Sequence, residues 1–149
     1  MKRFVFDLDN TLIYTDFLNN ESYNYALLQS GFNSINNCTR ITRMTVRKRH
    51  PYIDCVRLNE IIQIKQDYFT HNLFKTIPNE PVINLLKQQN PQDCLLWTSA
   101  SEARVYSLMK YYDISKSFKD VLMTSKKTIT SASSRRTNEY RRDLRSRLW

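Results

Sequence analysis

Residues 4–13 read Phe4-Val5-Phe6-Asp7-Leu8-Asp9-Asn10-Thr11-Leu12-Ile13. Three residues that favour strands run directly into two carboxylates spaced i, i+2. The apolar half suits a buried strand. Nothing about packing calls for the acidic half. Alternate strand residues point the same way, so Asp7 and Asp9 bring two negative charges together where the strand ends. One reading is a hydrophilic turn. The sharper one is a site for a cation and a phosphate.

Outward from this stretch, Tyr14 to Asn20 is a polar exit bearing aromatics, with no strand expected between residues 14 and 74. A helix is expected from about Glu21 to Ser30, where Tyr23, Ala26, Leu27 and Ser30 fall at helical spacing. Gly31, the only glycine, then suits a C′ position with positive φ. Residues 33–38 read as a polar loop. Thr39 to Arg49 is basic and weakly periodic, and Pro51 ends any helix there. Leu58 to Phe69 is a stronger helix, with Leu58, Ile61, Ile62 and Phe69 on one side. Asn79 reads as a helix cap with Pro81 in the first turn and the helix reaching about Gln89.

After a turn at residues 90–93, Cys94 to Trp97 is a second buried strand, ending in Thr98-Ser99. Ser99 to Glu102 has the form of a capping box. The following helix carries Val105, Leu108, Met109 and Tyr112 on one face. Residues 120–123 form a third strand. Strand, helix, strand, helix, strand implies α/β: a parallel Rossmann-like sheet with right-handed crossovers. Ligands of such sheets bind at the C-terminal strand ends, where Asp7, Thr98 and Lys126 or Lys127 fall. A helix N-terminus beside them offers free N–H groups to an anion.

Composition sets outer bounds. The chain has 149 residues and a formal charge of +9, which fits one domain with an insertion. Residues 1–127 carry +5, and residues 128–149 carry +4 with every basic residue an arginine. Three cysteines without a C-x-x-C pair imply reduced thiols and a cytoplasmic location. Cys94 lies in an apolar run and reads as core. His50 and His71 have no metal-ligand spacing, which excludes a zinc reading. No apolar run approaches the roughly 18 residues of a membrane span.

Asp7-Leu8-Asp9-Asn10-Thr11, behind its apolar strand, resembles the first motif, D-x-D-x-T, of the haloacid dehalogenase-like hydrolases. The resemblance covers residues 1 to about 127. Trp97-Thr98-Ser99-Ala100 with Arg104 is more loosely similar to the pyrimidine nucleotidase-like phosphatases. The resemblance implies a core over 1–16 and 75–127 with an all-helical cap inserted over 17–74. It implies magnesium-dependent hydrolysis of a small phosphorylated metabolite, a nucleotide or sugar phosphate, through an aspartyl-phosphate. Asp7 is then nucleophile and metal ligand. Asp9 is general acid and base, and its carbonyl is a second ligand to Mg²⁺. Thr98 binds a phosphoryl oxygen, with Thr11 and Ser99 as further substrate contacts. Lys127, slightly preferred over Lys126, is the motif lysine beside nucleophile and phosphate. Tyr23, Tyr25, Arg43 and Arg47 are cap positions open either to substrate or to surface and packing roles.

The family's fourth motif, an apolar strand ending in acidic residues, is not legible. Glu139 and Asp143 follow no such strand. The sheet is therefore read as incomplete, and residues 128–149 as the product of truncation or a shifted reading frame. Translation of the other frames of the coding DNA beyond residue 127 tests this, since one should give an apolar strand ending in Asp. The alternative is a catalytically inactive relative that binds a partner through the cap or the arginine-rich tail. Tyr140, Leu144 and Leu148 are spaced for a basic amphipathic helix that could meet nucleic acid or an anionic membrane surface. The plainer reading of the tail is a solvated, charged segment.

Overall fold

The computed structural model describes residues 3–124. Strand β1, Phe4–Phe6, leads into a tight acidic loop. Asn10 turns this loop with φ +61°, a left-handed conformation that asparagine tolerates better than most residues. The Asn10 N–H donates to the Ile13 carbonyl, and the N–H groups of Leu12 and Ile13 both donate to the Leu8 carbonyl. Leu8, Leu12 and Ile13 are fully buried and staple the loop to the core. The two aspartates flank Leu8 on the opposite side.

Ile13–Tyr14 then forms β2, a short strand where the sequence suggested none. It pairs antiparallel with a strand some sixty residues later. Helix α1, Asp16–Gln29, begins well before the expected Glu21. Its extra turn sets an exposed Phe17 beside buried Leu18 and Asn19, a mixture in which periodicity does not show. Packing sets this boundary, not propensity. Gly31 has φ +83° and closes the helix as a Schellman motif: its N–H donates to Leu28 and the Phe32 N–H to Leu27. No heavy atom lies within 4 Å of where a Cβ would stand. Gly31→Ala is therefore expected to cost only the left-handed backbone penalty, about 1 kcal/mol. Thermal denaturation checks this, and a loss several times larger would mean that the space around Gly31 is not open.

Helix α2, Arg43–Arg49, is capped by reciprocal bonds between Thr42 and Thr45. Helix α3, Cys55–His71, starts on Asp54, whose side chain accepts from the Arg57 N–H. With α1, these helices enclose their own apolar cluster, including Tyr23, Leu27, Ile41, Val46, Leu58 and Ile61. His50 contacts the Asn33 carbonyl and the Tyr52 hydroxyl inside this block, a structural role. Strand β3, Ile77–Pro78, returns the chain beside β2, with Tyr14 opposite Ile77.

The chain then re-enters the sheet layer. Helix α4 is Glu80–Lys87 with Pro81 in its first turn. Asn79 does not cap it by side chain. Its amide donates instead to the Thr11 carbonyl, and its N–H to that of Leu12, tying the start of α4 to the acidic loop. Strand β4, Cys94–Thr98, is followed by α5, Glu102–Tyr111, and β5, Asp120–Met123. The expected capping box does not form: Ser101 occupies the cap position without a side-chain bond, and Thr98 Oγ1 accepts the Ala100 N–H at 3.2 Å. The strands run parallel in the order β1-β4-β5. This is the expected α/β architecture with a helical insertion.

The main core lies between this sheet and its helices and contains Phe6, Leu86, Cys94, Leu96, Val105 and Leu108. Among the described residues β1 is an edge strand, with Val5 46% exposed. Residues 125–149 lie outside the described residues. With them lie Lys126, Lys127 and every reading of the arginine-rich tail.

Candidate active site

Three parallel strands ending on one side bring distant residues together. Asp7 follows β1, Ser99 follows β4, and Asp7, Asp9 and Ser99 line one cleft of about 460 Å³. The helical insertion supplies its opposite wall through Tyr23, Arg40, Arg43 and Lys65.

The two aspartates differ. Asp7 is exposed; its carboxylate accepts one long hydrogen bond, from Thr11 Oγ1 at 3.4 Å. Asp9 is held on several sides. Thr15 Oγ1 donates to Oδ1 at 2.5 Å. Arg104 Nη2 lies 2.8 Å from Oδ1, and Arg40 Nη2 lies 3.5 Å from Oδ2. Arg40 also pairs with Asp16. Burial raises the Asp16 carboxyl, but hydrogen bonds with Asn10 and Arg40 outweigh it and hold the group below its ordinary value. Among the described residues, Asp9 thus has a fixed direction and Asp7 is only loosely held.

Arg104 joins the two lobes. It starts on α5, and its Nη1 donates to Asn19 of α1 at 3.2 Å. Asn19 donates in turn to the Ile41 carbonyl. The guanidinium stacks 4.3 Å over the Phe69 ring. It is 5% exposed, and burial, partly offset by Asp9, lowers its pKa to about 10. Its contact with Asp9 is close but not aligned as a hydrogen bond, and Nε and Nη2 have no hydrogen-bond partner among the described residues.

The other expected residues separate. Thr98 is 2% exposed beneath the cleft, with its hydroxyl in the turn to Ala100. Thr11 stands beside Asp7 rather than on the cleft wall. Tyr23 and Arg43 line the cleft. Tyr25 instead stacks on Tyr68 at 4.3 Å, and Arg47 is exposed on α2. Arg40, Lys65 and Gln66 were not anticipated. For Lys65 a signal existed: Leu58, Ile61, Lys65 and Phe69 are the buried residues of α3, so a lysine interrupts its apolar stripe. Among the described residues no cluster of three or more His, Cys, Asp or Glu could hold a metal. No helix among them is long and apolar enough to cross a membrane.

No protein-family model matches the sequence, and no curated protein matches it. Solved structures do resemble the fold. A haloacid dehalogenase-like hydrolase from Streptococcus pneumoniae superposes with a TM-score of 0.67 at 15% identity, covering 96% of this chain and 70% of its own. An inferred phosphoglycolate phosphatase from Haemophilus somnus gives 0.70 at 17% identity, covering 88% and 66%. A candidate phosphatase from Clostridium difficile gives 0.66 at 20% identity, covering 98% and 72%. The chain spans 61 to 73% of the lengths of such structures. At these identities the likeness establishes a shared fold.

Proposed function

We infer that this chain, folded as the haloacid dehalogenase-like hydrolases fold, is a phosphomonoester hydrolase of small phosphorylated metabolites. The observation that carries the reading is the convergence of Asp7, Asp9 and Ser99 at parallel strand ends, in a cleft roofed by the insertion. An aspartate pair with a free and a fixed member suits two-step hydrolysis.

In the first step, an Asp7 carboxylate oxygen attacks phosphorus in line. The ester P–O bond breaks and the leaving oxygen takes a proton from Asp9, giving an aspartyl-phosphate and an alcohol. In the second, water gives a proton back to Asp9 and attacks phosphorus. Inorganic phosphate leaves and the Asp7 carboxylate is restored. Thr15 and Arg104 orient Asp9. Ser99 and the N–H groups that precede α5 are suited to the phosphoryl oxygens. Thr98 shapes that turn, and Thr11 steadies Asp7. Lys126 or Lys127 remains the proposed motif lysine.

The donor set fits magnesium. Among the described residues the Asp7 carboxylate makes one long hydrogen bond, and with the Asp9 main-chain carbonyl it offers the few oxygen ligands that Mg²⁺ takes while keeping water. When bound, the ion would neutralise phosphate charge facing Asp7. The insertion then acts as a cap, covering the cleft against water and selecting the substrate.

Release of p-nitrophenol from its phosphate ester, measured across a Mg²⁺ titration, tests this reading. Turnover should rise with Mg²⁺ and fall at least tenfold in excess chelator. A folded chain without turnover at any Mg²⁺ concentration would favour a binding protein on the same fold.

A further inference from the structure

Among the described residues, four cations and two carboxylates line the cleft: Arg40, Arg43, Lys65 and Arg104 against Asp7 and Asp9. Arg40 is committed to Asp9 and Asp16. Arg43 donates to Asn59. Arg104 pairs with Asp9 and donates to Asn19. Lys65 is the anomaly. Lys65 is 6% exposed, and among the described residues no ion pair or hydrogen bond engages its ammonium. Its neighbours are the faces of Tyr23 and Phe69, 5.0 and 5.2 Å away. A buried charge without a counter-ion is costly.

The groups beside it are also donors without acceptors. Nε and Nη2 of Arg104 and Nε2 of Gln66 are buried with no hydrogen-bond partner among the described residues. Lys65, Gln66 and Arg104 all border the cleft. Buried donors left open around a cavity, with a cation on either side, are complementary to an acceptor that is not part of this chain. Burial draws the Lys65 ammonium down to about 7, with Arg104 and Arg40 adding to the effect. An arriving anion would restore its proton.

We propose that Lys65, Gln66 and Arg104 form a second oxyanion subsite, so that the substrate is a phosphomonoester carrying a further acidic group, a carboxylate or a second phosphate. This rests on the hydrolase reading for the first group, which meets Asp7 and Ser99 at the sheet ends. The second meets α3 on the insertion, and such a ligand would bridge the two lobes.

Ligands with no ester to cleave separate this proposal from the hydrolase reading. Titration calorimetry with ethylphosphonate, 2-carboxyethylphosphonate and ethane-1,2-bisphosphonate is run on the wild-type chain, Lys65→Met and Gln66→Leu. Wild type should bind at least one of the doubly acidic compounds tenfold or more tighter than ethylphosphonate. That ratio should fall below threefold in Lys65→Met and also decline in Gln66→Leu. The two doubly acidic compounds distinguish carboxylate from phosphate recognition. Equal affinities in wild type, an unchanged ratio in Lys65→Met, or no binding of any compound at millimolar concentration would overturn the proposal. Preferential binding without turnover in the ester assay would overturn the hydrolase reading alone.

Discussion

Asp7→Asn is expected to abolish phosphate release, with turnover falling by roughly 10⁴-fold or more. The amide keeps the shape of the carboxylate but loses its charge and nucleophilicity, and it is a poorer oxygen ligand for a hard cation. No covalent phosphoryl-enzyme can then form at this position. The fold should be indifferent. Asp7 is exposed and among the described residues makes one hydrogen bond, at 3.4 Å, so Tm should shift by no more than a degree or two. Parallel measurements of phosphate release, Tm and the mass of acid-quenched protein separate the possibilities. The wild type should show a phosphoryl adduct under turnover and the variant none. A variant retaining more than about 1% of the rate would mean that water attacks phosphorus directly and that Asp7 is not the nucleophile.

A core substitution should act in the opposite direction. Lys65→Met is expected to stabilise the chain, most strongly at acidic pH. Burial lowers the folded-state pKa of Lys65 from 10.5 to about 7. Between those values the unfolded chain holds a proton that the folded chain lacks, so the wild type gains stability as pH rises through this window. Below pH 7 the full cost of the buried ammonium is present. A shift of that size corresponds to roughly 4–5 kcal/mol, from which contacts with the Tyr23 and Phe69 faces recover about 1–2 kcal/mol. Methionine follows the same unbranched path without charge. A gain of about 3 kcal/mol is therefore expected at pH 6, shrinking towards pH 10. Denaturant unfolding at several pH values checks it. A gain that does not vary with pH, or a loss, would mean that the ammonium is better solvated or paired than its surroundings suggest. The stability held back at this position matches the subsite proposed for it.

The sequence was most informative where local chemistry and packing agree. Phe4 to Phe6 and Cys94 to Trp97 are strands because apolar runs between turn signals have little alternative, and the two aspartates after the first run are conspicuous because packing does not need them. Residues 120–123 were legible for the same reason. Elements defined by long-range pairing were not. Strands β2 and β3 are two residues each, with Tyr14 and Ile77 exposed, and no two-residue segment carries a period. The early start of α1 was hidden because Asn19 and Ser22 are buried polar residues whose hydrogen bonds, to Ile41 and Leu18, are invisible in a hydropathy pattern. The capping box at Ser99 is absent because the helix starts later, with Ser101 in the cap position. Within the cleft the sheet-end acids were readable from their motif. Of the insertion's cations, Arg43 was named as open to substrate, but Arg40 and Lys65 were not, because a lysine among leucines and isoleucines reads as a break in a stripe until its neighbours are seen.

Tyr14 and Ile77 are paired neighbours, so the chain departs for residues 15–76 and returns to almost the same place. To the sheet, that whole excursion is a closed loop. The entropy of closing it grows only with the logarithm of its length, so doubling it costs about 0.6 kcal/mol. Leu8, Leu12 and Ile13 anchor the acidic loop in the main core, and the Asn79 bonds to the Thr11 and Leu12 carbonyls hold it from the sheet side. Selection can therefore lengthen or shorten the excursion between its ends without moving the backbone of the acidic loop, provided that Thr15 and Arg40 keep their places beside Asp9. Under the proposed hydrolase function, substrate choice and bond-breaking sit on parts of the molecule that can evolve at different rates.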